Sequence, residues 1–238
     1  MKLLISNQHG AIVMALMPFL YGMLLSNPIW AHLSLLLGWA CVYLLTYPFL
    51  SLFKGRNLEL YRKWSWIYAS AALIFAIPAL LHNWKILLFG AAMLPLLLVN
   101  IYYIKQKDER ALLNDLAGIA IFAIAGMMAY YFADSKFDAP IWWTAIYPSL
   151  FFIGTTLYVK SVMRERKNPL YLKLSIGFHA LLVALFALLG QPWLSVAFVL
   201  PLARAIYLPS KKLSVKQVGL FEIAVSLIFF AFLLYATL

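Results

Sequence analysis

The sequence has a single cysteine, Cys41, and few charges: 11% of its 238 residues, with 8 acids against 19 bases. One cysteine excludes an intrachain disulfide and any cysteine-built metal cluster. The histidines His9, His32, His82 and His179 show no metal-ligand spacing. There is no glycine-rich phosphate loop, no nucleophile elbow and no Cys/His pair, so the usual chemistry of soluble enzymes is missing. Internal repeats, low-complexity tracts and polar stretches of domain size are also absent. No cofactor and no metal are expected.

What is present is apolar. Hydrophobic residues make up 65% of the chain, and its mean hydropathy is +0.89. A soluble domain of this size cannot hide so much apolar surface. Repeated runs of about 20 residues match instead the ~30 Å hydrocarbon core of a bilayer. The fold class read from this pattern is all-α, a polytopic membrane protein forming one integral membrane domain over residues 1–238. The formal charge of +11 points to basic membrane loops rather than to nucleic acid.

Cutting the chain at charge clusters and Pro/Asn/Gly breaks gives nine spans. They lie at about 10–26, 32–53, 64–81, 85–104, 111–132, 142–162, 170–190, 192–208 and 215–237. Short connectors such as "LHNWK" and "LGQPW" make neighbouring spans antiparallel. With the N-terminus inside, every one of the 19 Lys and Arg residues except Lys85 and Lys136 falls on the cytoplasmic side. The positive-inside rule therefore puts the N-terminus in the cytoplasm and the C-terminus outside. Residues 1–31 loosely resemble a signal peptide. The polar "SNQHG" and the bulky Ile29 and Trp30 favour a retained first helix.

Polar groups within spans are costly and face a bundle interior or a water-filled cavity. The candidates lie toward the cytoplasmic ends: Gln8, His9, Asn100, Tyr158, Lys160, Arg204, Lys216 and Glu222, with Asn114 and Asp115 opening the fifth span. Asp115 suits the positive end of a helix dipole. His179, alone in an apolar helix, reads as a hydrogen-bonded packing residue. Glu222 lies roughly 10 Å along its helix, too deep to snorkel, so it pairs with a cation such as Lys216 or Arg204 or is protonated. Tyr147, Phe151, Gly154 and Tyr158 share one face of the sixth span, as core residues do.

The stretches "QHGAIVMALMPFLYG", "YVKSVMRER" and "KQVGLFE" resemble the YwiC-like family of bacterial integral membrane proteins. The nine-span layout and "KQKDERALLNDLAGIAIFAIAG" also look distantly like the UbiA-type prenyltransferases. That second resemblance implies a bundle around a membrane cavity. It also implies aspartate motifs after the second and sixth helices that hold Mg²⁺ and a diphosphate. Those motifs are missing: "YPFLSLFKGRN" has no acid, and the only acid in "YVKSVMRERKN" is Glu165. Mg²⁺ needs carboxylate oxygens, so metal-dependent prenyl transfer is not expected. Lys54, Arg56, Lys160 and Arg164 stand where the metal would supply positive charge.

Two readings of these cations stand side by side. They are topology signals, or Lys54, Lys160, Arg164 and Arg204 clamp the anionic head of a hydrophobic ligand, an isoprenoid or an anionic lipid, without metal. Further readings are a small-anion transporter or channel, with Pro18, Pro95 and Pro201 interrupting helices, and a non-catalytic membrane subunit or assembly factor.

Overall fold

The computed structural model describes residues 3–5, 9–211 and 213–238, with only the backbone at His9. Its described residues form helices and no strand. The order is α1 (His9–Leu25), α2 (Ala31–Leu52), α3 (Leu58–His82), a short 3₁₀ turn (Trp84–Ile86) leading into α4 (Leu87–Lys105), and α5 (Leu112–Asp134). Then follow α6 (Ala139–Val159), which continues as a π-helical turn (Lys160–Arg164), α7 (Pro169–Leu188), α8 (Pro192–Tyr207) and α9 (Val215–Thr237).

Most helix ends fall within three residues of the expected spans. The third is an exception: its helix starts at Leu58, not near residue 64. The apolar run begins late, but the backbone is already helical through Tyr61, Arg62 and Lys63, just beyond the tight turn where Gly55 and Asn57 have positive φ. Glu59 in the first turn of α3 suits the helix dipole there. Apolarity marks what enters the bilayer, whereas a helix runs on through polar residues of good propensity.

Among the described residues six helices, α2, α3, α4 with its leading turn, α5, α7 and α9, are long and apolar enough to cross a membrane. The protein is therefore a multi-pass helical membrane protein. α1 and α8 are apolar but shorter, and at ~1.5 Å per residue each is roughly 25 Å long. α6 is charge-free but carries Trp, Tyr, Thr and Pro among its apolar residues.

The chain packs as two compact units, residues 1–146 and 147–238. In the first, α2 lies along α3, α1 along α5, and α4 beside α5. Gly22 and Gly126 bring α1 and α5 into backbone contact; a Cβ on Gly126 would lie 2.8 Å from the Pro18 carbonyl oxygen. Small residues allow this approach where lipid supplies no hydrophobic driving force. The Trp39 indole N–H donates to the Ala15 carbonyl at 2.9 Å, tying α2 to α1. His32 Nε2 bonds the Ala129 carbonyl at 3.0 Å, and its Nδ1 accepts from the Ile29 N–H.

The second unit is built from the latter part of α6, its π turn, and α7 to α9. Phe151 stacks on Phe229 with ring centroids 4.1 Å apart, and Phe198 packs against both Phe186 and Phe229. Toward the other end, Tyr158, Ala205 and Val218 form a buried cluster with Val162, Met163, Leu208 and Leu213 against it. Between these two apolar layers lies a set of polar side chains.

Candidate functional site

Arg204 sits in the last turn of α8 and Glu222 two turns into α9, both at least nine-tenths buried. Their side chains form an ion pair through Arg204 Nη1 and Glu222 Oε2. Each charge alone in an apolar surround would be prohibitive, so each requires the other. The rest of the guanidinium is held by two further helices. Nη2 points toward Thr155 Oγ1 on α6 at 3.4 Å and toward His179 Nε2 on α7 at 3.5 Å. The guanidinium carbon lies 4.4 Å from the centre of the Tyr158 ring, a cation–π arrangement.

The tautomer of His179 follows from its other contact. Nδ1 lies 2.7 Å from the Ser175 carbonyl, which accepts only, so Nδ1 carries the proton. Nε2 is left as a lone pair facing Arg204. Gly154 on α6 makes room for this imidazole: a Cβ there would come within 2.6 Å of Nε2.

The cluster is not internally satisfied. Arg204 Nε, Tyr158 Oη, Ser175 Oγ and Glu222 Oε1 are buried without a hydrogen-bond partner among the described residues. Three of these can donate, the two hydroxyls among them can also accept, and Glu222 Oε1 only accepts. Each such group left unmet costs about 1–3 kcal/mol, and a fork-to-fork pairing would have engaged both carboxylate oxygens. The observed pairing is end-on instead.

Of the residues singled out from sequence, the structure gathers Tyr158, Arg204 and Glu222 in this cluster. Lys160 is buried, at 3% exposure, at the start of the π turn. Arg164 and Lys216 are exposed, so the partner of Glu222 is Arg204. Lys54 belongs to the first unit, where it forms a surface ion pair with Glu109 at 2.8 Å. Asn100 donates to the Asn114 side chain at 2.8 Å and ties α4 to α5. Gln8 and the His9 side chain lie outside the described residues. Sequence reasoning passed over Thr155 and Ser175, because hydroxyls cost little in a membrane helix, and read His179 as packing. The one available signal was the α6 face carrying Phe151, Gly154 and Tyr158. It is partly core, through Phe151, and partly site, through Gly154 and Tyr158.

The fold and this cluster together define a class: a helical multi-pass membrane protein with a buried, charge-balanced polar site between helices. More particularly, the chain belongs to the YwiC-like family, whose profile matches residues 5–130. It is 66% identical to an uncharacterized protein of Haemophilus influenzae over 238 residues, 100% of both chains. It is 38% identical to the uncharacterized protein YwiC of Bacillus subtilis over 231 residues, 97% of each chain. No solved structure matches it significantly.

Proposed function

We propose that this protein crosses the bacterial cytoplasmic membrane nine times, N-terminus inside and C-terminus outside, in a UbiA-like bundle. In this reading it holds a hydrophobic ligand by its anionic head, without metal. The observation that carries the ligand reading is the buried Arg204–Glu222 pair, flanked by polar groups from two further helices and left with unmet hydrogen-bonding atoms. Ionisable groups at such depth mark ligand or ion paths by default, and a guanidinium is the side chain suited to phosphate-like heads. The pocket for the head contracts to the second unit, with Arg204 as contact and buried Lys160 as the neighbouring cation. Lys54 and Arg164 keep their topological role.

The nine-span reading rests on charge asymmetry and on tryptophan. Trp30, Trp84, Trp142 and Trp193 are all exposed, and each stands at what this topology makes an outer helix end. Tryptophan favours that interface depth. Trp142 and Trp193 anchor α6 and α8, the less obviously spanning helices, opposite their basic inner ends.

The test is retention and stabilisation. Native mass spectrometry of the purified protein is expected to show a co-purified anionic lipid or isoprenoid. Inorganic diphosphate is expected to raise the unfolding temperature, since a ligand at a hundredfold its Kd adds about 2.7 kcal/mol. Arg204→Gln should abolish both effects. No retained lipid together with no diphosphate shift in the wild-type protein rejects the reading.

A further inference from the structure

We infer that Glu222 is an internal stand-in for the ligand's anionic group, and that an oxyanion enters this site together with one proton, which Glu222 takes up as it leaves Arg204. The inference rests on the anion-site reading above and adds its mechanism. The hydrogen-bond inventory leads to it. The unmet groups able to donate are Arg204 Nε–H and the Tyr158 and Ser175 hydroxyls, and Glu222 Oε1 can only accept. A donor-rich set of this kind is complementary to an oxyanion, whose oxygens accept only.

Adding the anion alone would put two negative charges beside one guanidinium in an apolar layer, at the cost of an uncompensated buried charge. Adding the anion and a proton keeps the balance. The guanidinium turns to the anion, the Nη1–Oε2 ion pair opens, and the carboxyl gains an O–H bond at one of its oxygens. No bond to the anion is made or broken, and the proton comes from water.

The other groups facing this exchange do not supply that proton. His179 on α7 has its one N–H committed to the Ser175 carbonyl, and its free nitrogen confronts Arg204. Tyr158 on α6 lies under the guanidinium with its ring. Lys160, buried two residues beyond Tyr158, already has a contact of its own, Arg204 is the countercharge, and Lys216 on α9 is exposed. Glu222 is thus the carboxylate that the incoming charge must replace.

Binding of methanesulfonate, an oxyanion that carries one negative charge at every working pH, tests the exchange on purified full-length protein, read by thermal unfolding and by calorimetry in buffers of different ionisation enthalpy. Nanodiscs with and without phosphatidylglycerol, a phosphodiester of equally constant charge, form the second arm. Stabilisation by methanesulfonate in neutral-lipid discs assigns a free oxyanion, whereas stabilisation confined to phosphatidylglycerol discs assigns a lipid headgroup. In whichever arm binds, the wild-type affinity is expected to fall about tenfold per pH unit once the ion pair is intact, with one proton taken up per anion. Glu222→Gln should bind more tightly and without that slope. Wild-type binding with no proton uptake, or an unchanged slope in Glu222→Gln, overturns the exchange and leaves the anion site standing. No binding in either arm at any pH overturns both. The proton count is read on the wild-type protein, so the test survives a Glu222→Gln variant that fails to fold.

Discussion

Gly154 stands where a side chain would meet the His179 ring, and that ring is fixed from behind by its bond to Ser175. The imidazole is almost wholly buried. Gly154→Ala is therefore expected to destabilise the protein by about 1–3 kcal/mol, the usual cost of overpacking. It should also weaken anion binding by displacing His179 from Arg204. Gly118→Ala, in the same kind of helical setting but with nothing within 4 Å of the new carbon, should be neutral or gain up to about 1 kcal/mol from helix propensity. Denaturant unfolding in mild detergent compares the two. Equal effects would mean that the Gly154–His179 contact is looser than the geometry requires.

Among the elements, α1 and α5 make the closest approach in the first unit. A Cβ on Gly126 meets backbone atoms of Pro18, at 2.8 Å from its oxygen and 3.1 Å from its carbonyl carbon. Backbone cannot rotate away as a side chain can, so α1 would have to move as a body. Gly126→Val is expected to cost more than Gly154→Ala, and its damage should lie in the first unit. Cleavage by an added protease near Asn27, whose side chain donates to Asp134 at the end of α5, should increase while binding at Arg204 is retained. Loss of anion binding in a folded Gly126→Val protein would contradict that separation. The π-helical turn after Tyr158 is the other local irregularity. Such turns occur often at functional sites, and this one begins at buried Lys160, two residues after the Tyr158 of the cation–π pair.

For the whole molecule the prediction concerns topology. In a Cys41→Ala background, single cysteines at Lys85, Lys136 and Gln191 are expected to react with a membrane-impermeant maleimide in intact cells. Cysteines at Lys107, Arg166 and Lys211 should react only after permeabilisation. The pair Lys136 and Arg166 brackets α6, and the pair Gln191 and Lys211 brackets α8. Reaction of both members of a pair from the same side would remove that helix from the spanning set. A helix of roughly 25 Å such as α8 can span if the bilayer thins locally or interfacial anchors hold its ends, which is the part Trp193 is suited to play.

The class of protein and, among the described residues, the helices and most of their limits were readable from the sequence alone, because apolarity, charge and helix-breaking residues act locally and accumulate along the chain. The charge cuts misplaced the start of α3 because a helix does not stop where its polarity changes. Burial of Glu222 was also readable, from its depth in an apolar run. Its partner was not: Arg204 is 18 residues away, and Thr155 and His179 lie 49 and 25 residues from Arg204. Which of several cations meets a carboxylate depends on how each helix is rotated about its axis. That rotation is settled by contacts such as Phe151 on Phe229 and Gly154 against His179. The sequence thus determined that polar groups must be buried together; only the packing of four helices decided that they form one charge-balanced site with donors to spare.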